Sequence, residues 1–142
     1  STLDRSSAAS DVYKRQVCES YMSVMDSLRL AMNRSLFLGL EDFESHFAMY
    51  PPGAFYLKHL DRFRDDDRRM VSAVVYLNDA WLPEHGGQLR MYLKGGVEYD
   101  VVPTGGSLVV FLSGEVPHEV LPATRERLSL TGWFRRRGNE PF

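Results

Sequence analysis

The sequence predicts a mostly β domain, a sandwich or barrel of jelly-roll type with one helix packed outside it. From about residue 43 onward, apolar and polar residues alternate with a period of two, which is typical of half-buried strands. Turn signals rich in glycine and proline separate these runs at short intervals. The chain has no strand–helix–strand alternation, which disfavours a parallel-sheet nucleotide fold.

Eight short runs have this strand pattern. They cover residues 45–50, 54–60, 70–78, 88–93, 97–102, 107–112, 117–121 and 127–135. The turn signals between them are Pro51-Pro52-Gly53, Asn78-Asp79, Gly86-Gly87, Gly95-Gly96, Gly105-Gly106 and Ser113-Gly114. Strands of this length and spacing favour a double-sheet or barrel architecture.

The N-terminal part of the chain has a different pattern. Residues 1–16 are polar, rich in serine and alanine, and lack apolar periodicity, so we expect a disordered or non-native leader. Residues 17–32 are predicted to form one amphipathic helix that packs on the body of the domain. Its apolar positions at helical spacing are Tyr21, Val24, Met25, Leu28, Ala31 and Met32. Residues 17–142 are therefore expected to form a single domain.

Composition limits the classes of partner. A net charge of −2 gives no overall basic field for nucleic acid or for an anionic membrane. Cys18 is the only cysteine, so no intrachain disulfide can form, which favours a reducing cytoplasm. No apolar run reaches the length of a membrane span, and the N-terminus has no signal-peptide core. We expect a cytoplasmic protein with neither a nucleic-acid nor a membrane partner.

A candidate metal site begins with His59 and Asp61. Residues two apart in a strand point to the same face, so this imidazole and carboxylate would project together. With a second histidine they would form the set that binds ferrous iron in non-haem oxygenases, although the pair alone could equally be a surface strand end. Of the other histidines, His85 lies in a turn and is expected to be exposed, and His46 lies in the first strand and is expected to be structural. His118, which opens a short strand, is the favoured third ligand.

Arg127 follows His118 by nine residues and begins the last predicted strand. An oxygenase that uses 2-oxoglutarate needs a cation for the far carboxylate of this co-substrate, and the planar fork of arginine binds a carboxylate through two parallel hydrogen bonds. Tyr76 adds a phenol to an otherwise apolar strand, and a buried phenol needs a hydrogen-bond partner. Thr131 shares a face with Arg127 and could supply another bond. The alternatives are a core aromatic for Tyr76 and a surface ion pair for Arg127.

Several segments resemble one known family. YLKHLD, VVYLN, GGQLRMYL, VVFLS and PHEVLPATRERLSLTGWF are similar to the prolyl 4-hydroxylase group of iron- and 2-oxoglutarate-dependent oxygenases. More closely, they resemble the bacterial relatives of the hypoxia-inducible-factor prolyl hydroxylases. The resemblance covers about residues 36–137 and implies a double-stranded β-helix. Family members usually have more helix and strand before the barrel, so an N-terminally truncated domain is one expectation.

The resemblance also implies cofactors and site residues. It implies Fe(II), with 2-oxoglutarate and O₂ as co-substrates and ascorbate in support. The implied iron ligands are His59, Asp61 and His118. The implied 2-oxoglutarate contacts are Arg127, Tyr76, Thr131 and Tyr50. The implied substrate contacts are Tyr56 and Trp133, with Arg62 and Arg64 in the charged loop 62–69, which could instead be a solvated loop. No catalytic side chain is expected beyond the metal ligands.

The implied activity is hydroxylation of a prolyl residue in a protein, with elongation factor Tu a candidate substrate by resemblance. The same chemistry on a nucleobase, a free amino acid or another protein residue is an alternative. A nucleic-acid substrate would need a basic groove with stacking aromatics, and residues 135–137 form the only basic cluster of this kind. A non-catalytic binding module on the same fold is the alternative from another class.

Overall fold

The computed structural model describes residues 2–62 and 68–138, and for residues 2–7 it describes the backbone alone. The chain divides into two compact units, Ser1–Leu38 and Gly39–Phe142. The first unit contains one helix, α1 (Thr2–Leu36), and the described part of the second contains eight strands.

The helix was predicted correctly in kind, but its predicted start was wrong. It begins at Thr2 rather than at residue 17, so the described part of the predicted leader is helical. The apolar pattern used for the prediction marks a buried face and not the length of a helix. No glycine or proline interrupts residues 2–36, so nothing in the local sequence prevents the helix from beginning before residue 17. The suggestion that residues 1–16 are non-native, and the packing of the helix on the domain, stay predictions.

The second unit is built from two antiparallel sheets. Its strands are β1 (Leu40–Tyr50), β2 (Tyr56–His59), β3 (Arg69–Tyr76), β4 (Leu89–Leu93), β5 (Val97–Val101), β6 (Leu108–Leu112), β7 (His118–Val120) and β8 (Arg127–Arg136). The major sheet has the order β1-β8-β3-β6, and the minor sheet has the order β2-β7-β4-β5. Each predicted strand is present, which confirms the mostly β, jelly-roll prediction. β1 begins earlier than predicted because Leu40 is buried and already pairs with Arg136.

The register of the major sheet gathers polar side chains on one face. β8 lies between β1 and β3, and its side chains alternate between the two faces of the sheet. Arg127, Ser129, Thr131 and Trp133 therefore face the same side, as predicted, and all of them line one cavity. The register pairs Arg127 with Tyr50, Ser129 with Tyr76 and Trp133 with Ser72.

The apolar core adjoins this cavity. Leu89, Met91, Phe111 and Val120 form a buried cluster to which both sheets contribute. On the opposite face of the major sheet, Phe134 is fully buried, and its ring centroid lies 4.5 Å from that of Phe43. No helix in the described part of the chain combines the length and the apolar character that a bilayer crossing requires.

Candidate active site

A cavity of about 350 Å³ opens between strands of the two sheets. Its volume falls within the range of ligand sites in proteins. Residues predicted for three different roles line it together. They are His59, Asp61, His118, Tyr50, Tyr76, Arg127, Thr131, Tyr56 and Trp133.

The two histidines and the aspartate meet at one end of this cavity. β2 and β7 are neighbours in the minor sheet, and their register places His59 opposite His118. The Nε2 atoms of His59 and His118 lie 3.2 Å and 3.1 Å from Oδ1 of Asp61. All three ligand atoms lie within 4.8 Å of one another. Side chains that are far apart in the sequence thus converge on one point.

In each imidazole, a backbone hydrogen bond to Nδ1 leaves Nε2 as the nitrogen that can accept a hydrogen bond or bind a metal ion. Nδ1 of His59 lies 2.7 Å from the carbonyl oxygen of Leu57, and Nδ1 of His118 lies 3.0 Å from that of Val116. Because a carbonyl oxygen only accepts, each neutral ring carries its hydrogen on Nδ1 and has a lone pair on Nε2. Two nitrogen lone pairs and a carboxylate oxygen then converge without a donor among them. A cation resolves this arrangement, and the donor set of two histidines and one carboxylate fits Fe(II).

Asp61 is buried but remains ionised. Burial raises the pKa of its carboxyl group, but in the metal-free protein the hydrogen bond and charge of a protonated His118 and the hydrogen bond from Ser72 lower it to about 2. A metal ion bound to the neutral imidazole would take the place of that proton. The buried Nε1–H of Trp133, which lines the same cavity, makes no hydrogen bond. Burial lowers the pKa of His118, while Asp61 and the Val116 carbonyl raise it more, so the net shift is upward. The acidic carboxylate is therefore available to bind a metal ion at neutral pH.

Arg127 lies in the same cavity and is almost completely buried, with 4% of its surface exposed. Its Nε donates to the carbonyl oxygen of Gly87 at 2.8 Å, and its Nη2 lies 3.4 Å from the hydroxyl of Tyr76. Within the described residues no carboxylate pairs with Arg127, which argues against a surface ion pair. A buried guanidinium without an anionic partner is suited to bind the carboxylate of a ligand.

Hydroxyl groups surround this guanidinium. Burial raises the pKa of Tyr76 more than Arg127 lowers it, and the pKa of Tyr50 is raised for the same reason. Both phenols therefore stay protonated at neutral pH and can donate hydrogen bonds. Oγ1 of Thr131 lies 3.3 Å from Oγ of Ser129 on the same wall. The cavity thus combines a metal-type donor set with a cation and hydroxyl donors.

Of the four residues predicted to contact a substrate, two line the cavity. Tyr56 is 51% exposed, and its ring centroid lies 4.2 Å from that of His59. Trp133 lines the cavity beneath the guanidinium of Arg69, which is 3.7 Å from its ring centroid. Arg62 packs beside Gly114 and does not line the cavity. Arg64 lies outside the described residues.

The other two histidines differ from their predicted environments. His46 was expected to be structural, but it is exposed and lines the cavity, with its ring centroid 5.4 Å from that of Trp133. His85 was expected to be exposed, but it is partly buried, and its Nδ1 accepts a hydrogen bond from the backbone N–H of Leu82. Neither histidine belongs to the three-residue cluster.

Sequence reasoning missed three residues that support the site. Ser72 bonds to Asp61, Gly87 bonds to Arg127, and Arg69 covers the Trp133 ring. Strand alternation could have placed Ser72 on the cavity face, because Ser72 lies two residues and four residues before positions of β3 whose side chains line the cavity. The contacts of Gly87 and Arg69 depend on pairing between distant segments, for which the sequence has no local signal.

Comparisons with known proteins agree with this geometry. A family model described as the 2OG-Fe(II) oxygenase superfamily matches residues 45–135. A search of curated proteins gave no match. Among solved structures, a Pseudomonas putida prolyl-4-hydroxylase is 77% identical with a TM-score of 0.85, and the match covers 87% of this chain and 68% of that one.

Two further structures are more distant. A Trichoplax adhaerens prolyl hydroxylase, solved with a hypoxia-inducible-factor oxygen degradation domain peptide, is 32% identical with a TM-score of 0.75. That match covers 82% of this chain and 55% of the relative, so the chain spans about half of its length. A viral collagen prolyl hydroxylase from Paramecium Bursaria Chlorella virus-1, solved as a 2OG complex, is 19% identical with a TM-score of 0.60. The match covers 81% of this chain and 72% of that one, and at this identity it shows the fold alone.

Proposed function

The chain belongs to the 2-oxoglutarate–Fe(II) oxygenase superfamily, and we propose that it hydroxylates a prolyl residue of a protein substrate. The family identified from the sequence motifs is thereby confirmed, with Fe(II), 2-oxoglutarate and O₂ as the cofactor and co-substrates of the family. The observation that carries the choice of a prolyl substrate is the 77% identity to the Pseudomonas putida prolyl-4-hydroxylase. A protein substrate is favoured by the peptide complex of the Trichoplax relative.

We assign the iron ligands to His59, Asp61 and His118. The two imidazoles would bind through Nε2, because Nδ1 of each is hydrogen-bonded to backbone. Asp61 would bind through Oδ1 and offset part of the charge of the metal. Bound Fe(II), together with 2-oxoglutarate and O₂, supplies the oxidant that converts a C–H bond to C–OH while the co-substrate becomes succinate and CO₂. No other side chain needs to act as an acid or a base.

We assign the distal carboxylate of 2-oxoglutarate to Arg127. The Nε bond to Gly87 fixes the plane of the guanidinium, so its terminal nitrogens can form two parallel hydrogen bonds with a carboxylate. Tyr76 and Tyr50 can add O–H donors because their phenols stay protonated. Thr131 completes this polar wall of the cavity.

We assign the substrate contacts to aromatic residues at the mouth of the cavity. A prolyl ring is apolar and packs well on aromatic faces, and Tyr56 and Trp133 offer such faces beside the metal ligands. Arg62 and Arg64 stay predicted substrate contacts on the resemblance of their loop to that of the family. Elongation factor Tu as the substrate, ascorbate as a supporting reductant and a cytoplasmic location likewise stay predictions.

Mass spectrometry of a treated lysate tests the proposal. The lysate comes from cells grown with ring-deuterated proline and is incubated with the protein, Fe(II), ascorbate and 2-oxoglutarate under ¹⁸O₂. Hydroxylation of a prolyl ring carbon adds one labelled oxygen and removes one deuterium from the same residue. Asp61→Ala provides the inactive control because it removes a proposed iron ligand.

Each result has a defined meaning. A labelled oxygen on a proline that has lost deuterium, absent in the Asp61→Ala control, supports prolyl hydroxylation. A labelled oxygen on another residue or on a small molecule would favour the same chemistry on a different substrate. Succinate formation that persists in the Asp61→Ala control would refute the assignment of the metal site.

A further inference from the structure

We propose that two buried serines, Ser72 and Ser113, form a hydroxyl relay that keeps Asp61 a metal ligand through one oxygen only. Oγ of Ser72 lies 2.6 Å from Oδ2 of Asp61 and 2.8 Å from Oγ of Ser113. The two serines are 1% and 0% exposed. The relay thus connects the carboxylate to β3 and to the end of β6 in the major sheet.

The direction of the relay follows from the number of hydrogens. As a metal ligand, Asp61 is a deprotonated carboxylate, and a carboxylate only accepts hydrogen bonds. Ser72 has one hydroxyl hydrogen and donates it to Asp61, so its oxygen must accept from Ser113. A directed chain of this kind polarises each successive bond, which strengthens the bond to the carboxylate.

The relay leaves the two carboxylate oxygens in different situations. Oδ1 lies next to both Nε2 atoms, whereas Oδ2 is held by Ser72. A carboxylate can bind a metal through one oxygen or through both. If Oδ2 were released, the carboxylate could rotate. Oδ1 would then be held less firmly beside the two Nε2 atoms, which would weaken metal binding, and a carboxylate that bound through both oxygens would fill a position that 2-oxoglutarate or O₂ needs. Because the serines are buried, water cannot easily replace a lost hydroxyl.

Ser72→Ala tests this role without any hydroxylation substrate. Replacing the hydroxyl by hydrogen leaves no sizeable cavity, so the fold should persist. We expect the Kd for Mn(II), measured by electron paramagnetic resonance titration, to rise about tenfold to a hundredfold, as is usual when a residue that orients a metal ligand is lost. We also expect a weaker visible charge-transfer band per bound metal when anaerobic protein is mixed with Fe(II) and 2-oxoglutarate. Ser113→Ala should produce smaller changes in the same direction.

Matched variants separate this role from a general loss of structure. Ser72→Thr keeps the hydroxyl and should bind Mn(II) much more tightly than Ser72→Ala. Ser107→Ala, the same substitution next to the opposite end of β6, should bind Mn(II) as the unmodified protein does. Thermal unfolding of each metal-free variant shows whether the fold is intact.

The proposal is overturned if Ser72→Ala retains its Mn(II) affinity and its charge-transfer band. It is also overturned if Ser72→Thr is as defective as Ser72→Ala while both variants unfold like the unmodified protein. The inference rests on the metal site of the proposed function and not on its prolyl substrate. Failure to find a hydroxylated proline would therefore leave these measurements unchanged, so the two proposals can fail separately.

Discussion

Arg127→Lys should raise the KM for 2-oxoglutarate while iron-dependent turnover remains measurable. Lysine keeps the positive charge in the cavity, but it replaces a planar fork by a single ammonium group. It also loses the Nε bond that joins Arg127 to the carbonyl oxygen of Gly87. The co-substrate carboxylate would then be held by one charge-assisted hydrogen bond instead of two.

The expected rise in KM can be estimated from the one hydrogen bond to the co-substrate carboxylate that is lost. A hydrogen bond to a charged group contributes about 1.5–3 kcal/mol. Since about 1.4 kcal/mol corresponds to a tenfold change in affinity, KM should rise roughly tenfold to a hundredfold. Arg127→Met removes the charge as well, and truncation of one partner of a buried charge pair costs about 2–5 kcal/mol. The methionine variant should therefore be more impaired than the lysine variant.

The assay is the initial rate of succinate formation as a function of 2-oxoglutarate concentration. Titration of the anaerobic Fe(II) protein, followed by its visible absorbance, measures binding of the co-substrate directly. Arg90→Lys is the matched control, because Arg90 binds the carboxylate of Asp100 through two bonds of 2.9 Å and 3.0 Å outside the cavity. An unchanged KM in Arg127→Lys, or an equal rise in Arg90→Lys, would refute the assigned role of Arg127.

Three other changes have defined outcomes. Gly87→Ala should raise the KM for 2-oxoglutarate and lower the Tm, because a Cβ at its positive φ of 70° would lie 3.3 Å from Cδ of Arg127. Phe134→Ala should lower the free energy of unfolding, measured with urea, by about 3–5 kcal/mol, since its ring is fully buried. Arg90 lowers the pKa of Asp100, so this pair stabilises the protein above the unfolded pKa of about 3.9 and less as pH falls through the lower folded pKa. The stability difference between Asp100→Asn and the unmodified protein should therefore shrink below about pH 4.

The strands could be predicted because their signal is local. Alternation along β5 and β8, and paired glycines such as Gly86-Gly87, depend only on neighbouring residues. The start of α1 could not be predicted in the same way, since apolar periodicity reports burial and residues 8–20 are exposed. A polar stretch without glycine or proline is compatible with either a helix or a disordered leader, and the sequence alone did not distinguish them.

For the site as well, residues with a local sequence signal could be predicted, and residues that meet only in the folded chain could not. His59 and Asp61 lie two residues apart, so their shared face could be inferred from strand geometry alone. The choice of His118 over His46 required the chemical argument about the following Arg127 and the resemblance to a family. The bond from Ser72 to Asp61 joins a strand to the segment that follows another strand, and only the folded sheets bring these residues together.

The two sheets contribute different parts of the proposed site. His59 and His118 belong to β2 and β7 of the minor sheet, whereas Arg127 and Tyr76 belong to β8 and β3 of the major sheet. A 2-oxoglutarate molecule that contacts both the metal and Arg127 would therefore span the two sheets. Asp61, which follows β2, is hydrogen-bonded to the major sheet through Ser72, so the geometry of the proposed metal ligands depends on how the sheets face each other. A change in sheet packing would consequently impair metal binding and co-substrate binding together, even without a substitution in either set of contacts.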